Sequence, residues 1–157
     1  MFHRLLTTAG VAAVVAFVVG GGAYAVASGG SSDGPVKTIT VIEKSGNGQY
    51  IDLGKRGFSA GDEFIIRSTF WNLARTERVG SNHGYCVVLS KNLAQCNGTA
   101  KLDGGTISYA GTTGNTSTFK IAITGGTRAL KGAEGQVTIH NLDASGNVSR
   151  DVIELTG

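Results

Sequence analysis

The residues best able to do chemistry are few, and they fall into three groups. The first is Glu43, in the run Val36 to Ser45. Lys37, Ile39, Val41, Glu43 and Ser45 share one face of an extended strand, and Thr38, Thr40 and Ile42 share the other. If Ile39 and Val41 point into a core, Glu43 does too. Burial there disfavours its charged form and makes it a candidate general acid or base. The alternative is that Glu43 sits at the mouth of the domain near Asn47-Gly48 and is simply solvated. The second group is Cys86 and Cys96, either side of a short hairpin pattern. With Ser90-Lys91-Asn92 as a three-residue loop and Asn92 left-handed, Leu89 faces Leu93, Val87 faces Gln95 and Cys86 faces Cys96. That register brings the two thiols within disulfide reach. Two free thiols are the alternative. The third group is His83 and His140, with no partner at metal-ligand spacing, so no metal site is expected. No Gly-x-Ser-x-Gly elbow is present for a hydrolase triad. No cofactor motif is present either.

These residues must be held by something, and the composition says by what. Beyond the first 35 residues there is no long stretch of helical periodicity. The chain has 25 glycines and one proline, so tight turns between strands are the economical reading. Strand-like runs occur at Val36–Ser45, Tyr50–Leu53, Asp62–Trp71, Arg78–Leu89, Ala94–Leu102, Thr106–Gly111, Ser117–Thr124, Gly135–Leu142 and Val148–Leu155. Asn47-Gly48, Asp103-Gly104, Gly114-Asn115 and Ser145-Gly146-Asn147 supply turns. Eight or nine short strands in about 120 residues close most economically into an antiparallel barrel, which leaves no free edge.

Alternation then selects the lining. Phe64, Ile66, Ser68 and Phe70 share a face, as do Ile107 and Tyr109, Phe119, Ile121 and Ile123, Val137 and Ile139, and Ile153 and Leu155. The expected cavity wall is Ile39, Val41, Ser45, Phe64, Ile66, Ser68, Phe70, Tyr109, Phe119 and Ile121. Ile65, Trp71, Val87 and Leu89 place apolar groups on the outer side, as scattered exposure or as a subunit interface. The stretch Gly125 to Gly135 lacks the Gly-Lys-Ser/Thr of a phosphate loop. Its glycines let the chain reverse while Ala129, Leu130 and Ala133 cover the barrel end.

The N-terminal segment predicts that the domain lies outside the cytoplasm. Met1-Phe-His-Arg4 is basic, Leu5 to Ala27 carries no charge, and Ala23-Tyr24-Ala25 and Ala25-Val26-Ala27 fit small-residue cleavage sites. Residues 1–27 read as an export signal or, if uncleaved, as a membrane anchor. Residues 28–35 form a Gly/Ser linker and 36–157 the barrel. The net charge of +3 is too small and scattered for nucleic-acid binding.

Three segments carry a resemblance. Gly61-Asp-Glu-Phe-Ile-Ile-Arg-Ser-Thr-Phe70, then Val79-Gly-Ser-Asn-His-Gly-Tyr-Cys86, then Ala122-Ile-Thr-Gly-Gly-Thr127 through Gly132-Ala-Glu-Gly-Gln-Val137 follow the order seen in the allene oxide cyclase and dirigent superfamily. The chain looks most similar to its small exported bacterial members. The resemblance implies an eight-stranded antiparallel barrel with an apolar cavity, and a homotrimer that would give Ile65 and Trp71 a role. Glu43 matches the glutamate of the plant cyclases and Cys86 their cysteine, while Ser45 and Ser68 stand where they have asparagines. The implied partner is a small apolar or amphipathic molecule. The implied function is steering of an isomerisation or cyclisation, with a non-catalytic carrier or structural barrel as the alternative.

Overall fold

The computed structural model describes residues 37–156. Residues 1–27, the expected export signal or anchor, and the expected linker, 28–35, lie outside them. Among the described residues there are nine strands: β1 (Lys37–Ser45), β2 (Gln49–Ile51), β3 (Glu63–Trp71), β4 (Arg78–Ser90), β5 (Leu93–Leu102), β6 (Gly105–Gly114), β7 (Thr118–Gly126), β8 (Glu134–Asn141) and β9 (Val148–Thr156). A single 3-10 turn, Arg128–Leu130, interrupts them. Among the described residues no helix is long and apolar enough to cross a membrane.

Nine strands make an eight-position barrel because β1 and β2 share one position. β1 pairs with the second half of β3, Ser45 opposite Ser68 and Ile42 opposite Trp71. β2 pairs with the first half, Gln49 opposite Ile65 and Ile51 opposite Glu63. The chain breaks between them at Gly46, whose N–H bonds the Arg67 carbonyl at 2.7 Å. On its other edge β1 pairs with β9, and the antiparallel order β1-β9-β8-β7-β6-β5-β4-β3 closes through the β1–β3 contact. Each long strand is therefore paired with a neighbour on both sides, β6 and β7 with each other over only part of their length.

The interior divides lengthwise. At one end Val41, Phe70, Ala100, Leu102, Ile107, Ile123, Leu130, Ala133, Val137, Ile153 and Leu155 form the core. Ile107 and Ile153 are at most 1 % exposed, each adding about 1.5–3 kcal/mol by leaving water. Leu130 and Ala133 plug this end, carried by the strap after β7. The strap can pass so close because Gly126 has no side chain: a Cβ there would lie 2.0 Å from the Leu130 carbonyl oxygen. Ala129, expected to help cover the end, is exposed instead, since the 3-10 turn directs Leu130 inward and its neighbour out.

The disulfide joins Cys86 to Cys96, directly opposed on β4 and β5. Closing so short a loop stabilises the fold by about 3 kcal/mol on the chain-entropy account. The hairpin beyond it differs from expectation. Val87 faces Gln95, but the register shifts before Ser90, which pairs with Leu93 and leaves Leu89 bulged. The turn is Lys91-Asn92, and Asn92 is not left-handed. An extra residue accommodated in the strand replaces the third residue expected in the loop.

Candidate active site

Glu43 is where the two halves of the barrel interior meet. Its carboxylate Oε1 accepts a hydrogen bond from the Ser68 hydroxyl on β3. It also accepts one from the Asn82 amide on β4 at 2.9 Å. Asn82 in turn accepts, through Oδ1, the Tyr109 hydroxyl of β6 at 2.9 Å. On the other flank Ser149 stands opposite Glu43 and Asp151 opposite Val41. Ser149 donates its hydroxyl to Asp151 Oδ1 at 2.7 Å. Asp151 is 2 % exposed and lines the same cavity as Glu43 from the neighbouring strand. The result is a polar belt running Tyr109, Asn82, Glu43, Asp151, Ser149 across β6, β4, β1 and β9.

This belt borders a cavity of about 240 Å³ whose remaining wall is mostly apolar, including Ile66, Phe70, Ile107, Phe119, Ile121 and Ile153. The Cys86–Cys96 bridge forms part of the same wall, so neither sulfur is a resting nucleophile. No lysine, arginine or histidine among the described residues lines the cavity. Among the described residues no group of three or more potential metal ligands gathers. Asp151 is pushed up to about 9, by burial first, then by the Glu43 carboxyl nearby, against a smaller opposing effect of Ser149. Tyr109 is pushed up to about 12, chiefly by burial, with the Glu43 and Asp151 charges adding.

Tyr109 reaches Asn82 because two strands clear its path. Gly98 lies opposite Tyr109 on β5, and Gly84 lies opposite Gly98 on β4. A Cβ on Gly98 would stand 2.1 Å from the tyrosine oxygen, and one on Gly84 2.8 Å from it. The ring thus lies along the wall, over two glycines. Glycine inside a strand often marks such a close approach.

Of the residues expected at the cavity from sequence, Glu43, Ser45, Ile66, Phe70, Tyr109, Phe119 and Ile121 line it. Ser68 sits behind Glu43 as its donor. Val41 belongs to the core at the closed end, with Ile39 packed against it. Phe64 lies apart, on the stretch of β3 that pairs with β2, against Tyr50 and Phe58 with ring centroids 5.1 and 5.8 Å away. His140 bonds Thr118 at 3.1 Å on the barrel exterior. Asn82, Ser149 and Asp151 were not singled out by sequence reasoning. Stepping back by twos from Ile153 and from Cys86 along their strands would have reached all three.

No family model and no curated protein matches the chain. Solved structures do. A pyocyanin demethylase is 28 % identical, with a TM-score of 0.68 over 76 % of this chain and 100 % of its own. An exo-specific intermolecular Diels-Alderase is 14 % identical, with a TM-score of 0.65 over 79 % of this chain and 100 % of its own. A pterocarpan synthase dirigent protein is 13 % identical, with a TM-score of 0.63 over 77 % and 93 %. At such identities the last two speak to fold alone. Closed topology, strand order and these neighbours together give the chain the eight-stranded antiparallel barrel fold of these proteins.

Proposed function

We propose that the barrel binds a small, largely apolar molecule in its cavity and steers an isomerisation or cyclisation of it outside the cytoplasm. The observation that carries the reading is the asymmetry of the cavity: one polar belt centred on Glu43, with mostly apolar walls elsewhere. Such a site confines and orients a ligand, and confinement alone lowers the barrier of a ring closure. Glu43 is the acid–base group of this proposal. Neighbours named for a Diels–Alder reaction and for pyocyanin demethylation support a cavity that takes small molecules. The disulfide favours an oxidising compartment.

The test is to purify the full chain from the medium or envelope of an exporting host and identify extracted small molecules by mass spectrometry. A recovered ligand whose rearrangement the protein accelerates, with turnover lost and binding kept in Glu43→Gln, is the expected result. Binding with no turnover in the wild type points to a carrier. An empty extract, with no uptake of apolar probes, defeats the reading. The proposal includes a trimer with Ile65 or Trp71 near the contact. Light scattering at tens of micromolar should give three times the chain mass, and Ile65→Lys should lower it. A monomeric wild type removes the trimer from the proposal.

A further inference from the structure

We infer that Asp151 is the second catalytic residue of the cavity, holding the proton that the site donates while Glu43 accepts one, and that the pair serves ligands that rearrange by proton relocation. The inference rests on the cavity-binding reading above and adds to it a reaction type and a substrate class.

The argument is geometric. Two carboxyl groups from neighbouring strands line one cavity, Asp151 lying two residues along β9 from the Ser149 that stands opposite Glu43. The groups facing Asp151 are few. Glu43 comes from β1, Tyr109 from β6, Ser149 from its own strand, and β8 presents Ile139. Among the described residues no cationic side chain reaches the cavity to offset a second negative charge. Two like charges side by side in an apolar enclosure do not both persist, so the pair keeps one proton between them. Its position is also fixed. Glu43 receives two donors, Ser68 and Asn82, and so carries the charge. Asp151 receives one, Ser149, and is the more deeply buried, so it carries the proton.

A base and an acid side by side define a chemistry. Glu43 removes a proton from one ligand atom as Asp151 gives its proton to another. The electron pair of the broken C–H bond moves through the conjugated system to the atom protonated by Asp151. The proton now on Glu43 then passes to Asp151, restoring the site. Nothing is oxidised or reduced, and no co-reactant is required. The ligand class this serves is an uncharged conjugated or enolisable ketone, with its carbonyl oxygen at Asp151 and an acidic C–H at Glu43. An anionic ligand is disfavoured by the net negative charge of the pair.

The test has two readouts on the full chain. In the ligand-free protein, infrared difference spectroscopy should show the carbonyl stretch of a protonated carboxyl at pH 7. It should fade as pH rises through about 9 and be absent from folded Asp151→Asn. No such band at pH 7, or one that persists in Asp151→Asn, overturns the inference. The second readout uses 2-tetralone as probe, with binding followed by saturation-transfer NMR and α-deuteration followed in D2O. The wild type should bind it and accelerate exchange. Asp151→Asn and Glu43→Gln should each bind it and lose the acceleration by about 100-fold. Binding without accelerated exchange overturns the proton-relocating pair and leaves the cavity reading standing. No binding at all counts against the cavity reading and overturns the ligand class.

Discussion

Two aspartates are buried in this barrel, and they end in opposite states. Asp62, just before β3, is 0 % exposed. Its carboxylate accepts the Tyr50 hydroxyl at 2.7 Å, the Leu53 N–H at 3.0 Å and the Ser59 N–H at 2.5 Å. The Tyr50 bond first, and the backbone donors with it, hold the carboxyl below its ordinary range against the effect of burial. Asp151 is 2 % exposed and has one hydroxyl donor and a second carboxyl for company, so burial prevails. Equal exposure therefore does not mean equal charge. Asp151 lies far deeper in the protein than Asp62 and has fewer donors, and the two differences together divide the groups by role. Asp62 ties the 52–62 loop to the barrel, its carbonyl accepting the Val88 N–H at 2.8 Å while the Gly61 N–H donates to the Val88 carbonyl at 2.9 Å. Asp151 holds a proton where a ligand can reach it.

The largest expected effect of breaking this contrast is at Asp62. Asp62→Ala leaves two backbone donors and a tyrosine hydroxyl without their acceptor. The thermal midpoint should fall by roughly 10 °C at pH 7, with hydrogen exchange rising first in residues 52–62. Because the folded carboxyl titrates below the unfolded one, its contribution is complete above about pH 4 and is lost as pH falls through the folded value. Wild type and variant should thus converge in acid. A midpoint unchanged at pH 7 would mean that the loop is held by something else. Next in size is Gly98→Ala. The new methyl meets the Tyr109 hydroxyl, so the ring must leave the wall, costing about 2 kcal/mol in chemical denaturation and shrinking the cavity. A neutral result would show that the tyrosine has other places to lie.

Much of this was legible before the structure. Strand positions follow from a period of two that each segment carries by itself, and the opposition of Cys86 and Cys96 needs only the local hairpin. The bulge at Leu89 was not legible, because strand twist as well as loop composition chooses between a bulge and a longer loop. Ser68 and Glu43 could each be placed on an inward face. Their meeting depends on β1 closing against β3, and that of Glu43 with Asp151 on β1 pairing with β9. The latter pair is separated by nearly the whole domain in sequence. Asp62 appeared only as a strand end, because its donors come from a loop without periodicity.

Asp151→Asn should move stability the other way from Asp62→Ala. The folded Asp151 titrates near 9, far above the unfolded group, so the folded state binds the extra proton and stability falls as pH rises from about 4 to about 9. Asparagine has no proton to lose. The variant should match the wild type near pH 4–5 and exceed it by a few °C at pH 8, with a flatter profile between. Parallel profiles would place the titrating proton on another group and dissolve the contrast with Asp62.

The finest test uses the two tyrosines attached to these aspartates. Both are pushed up to about 12, for different reasons. Tyr50 is raised mainly because it donates to the Asp62 carboxylate, and burial adds less. Tyr109 is raised mainly by burial, and the nearby carboxyl charges add less. Removing each aspartate separates the causes. In Asp62→Asn the carboxylate charge is gone, so Tyr50 should fall back toward its ordinary value near 10. In Asp151→Asn the enclosure of Tyr109 is unchanged, so it should stay close to 12. Ultraviolet difference titration of the phenolates, with Tyr50→Phe and Tyr109→Phe assigning each step, reads both shifts. If Tyr109 fell as far as Tyr50, charge rather than burial would govern the cavity. Asp151 would then be held by Glu43's field more than by its apolar surroundings.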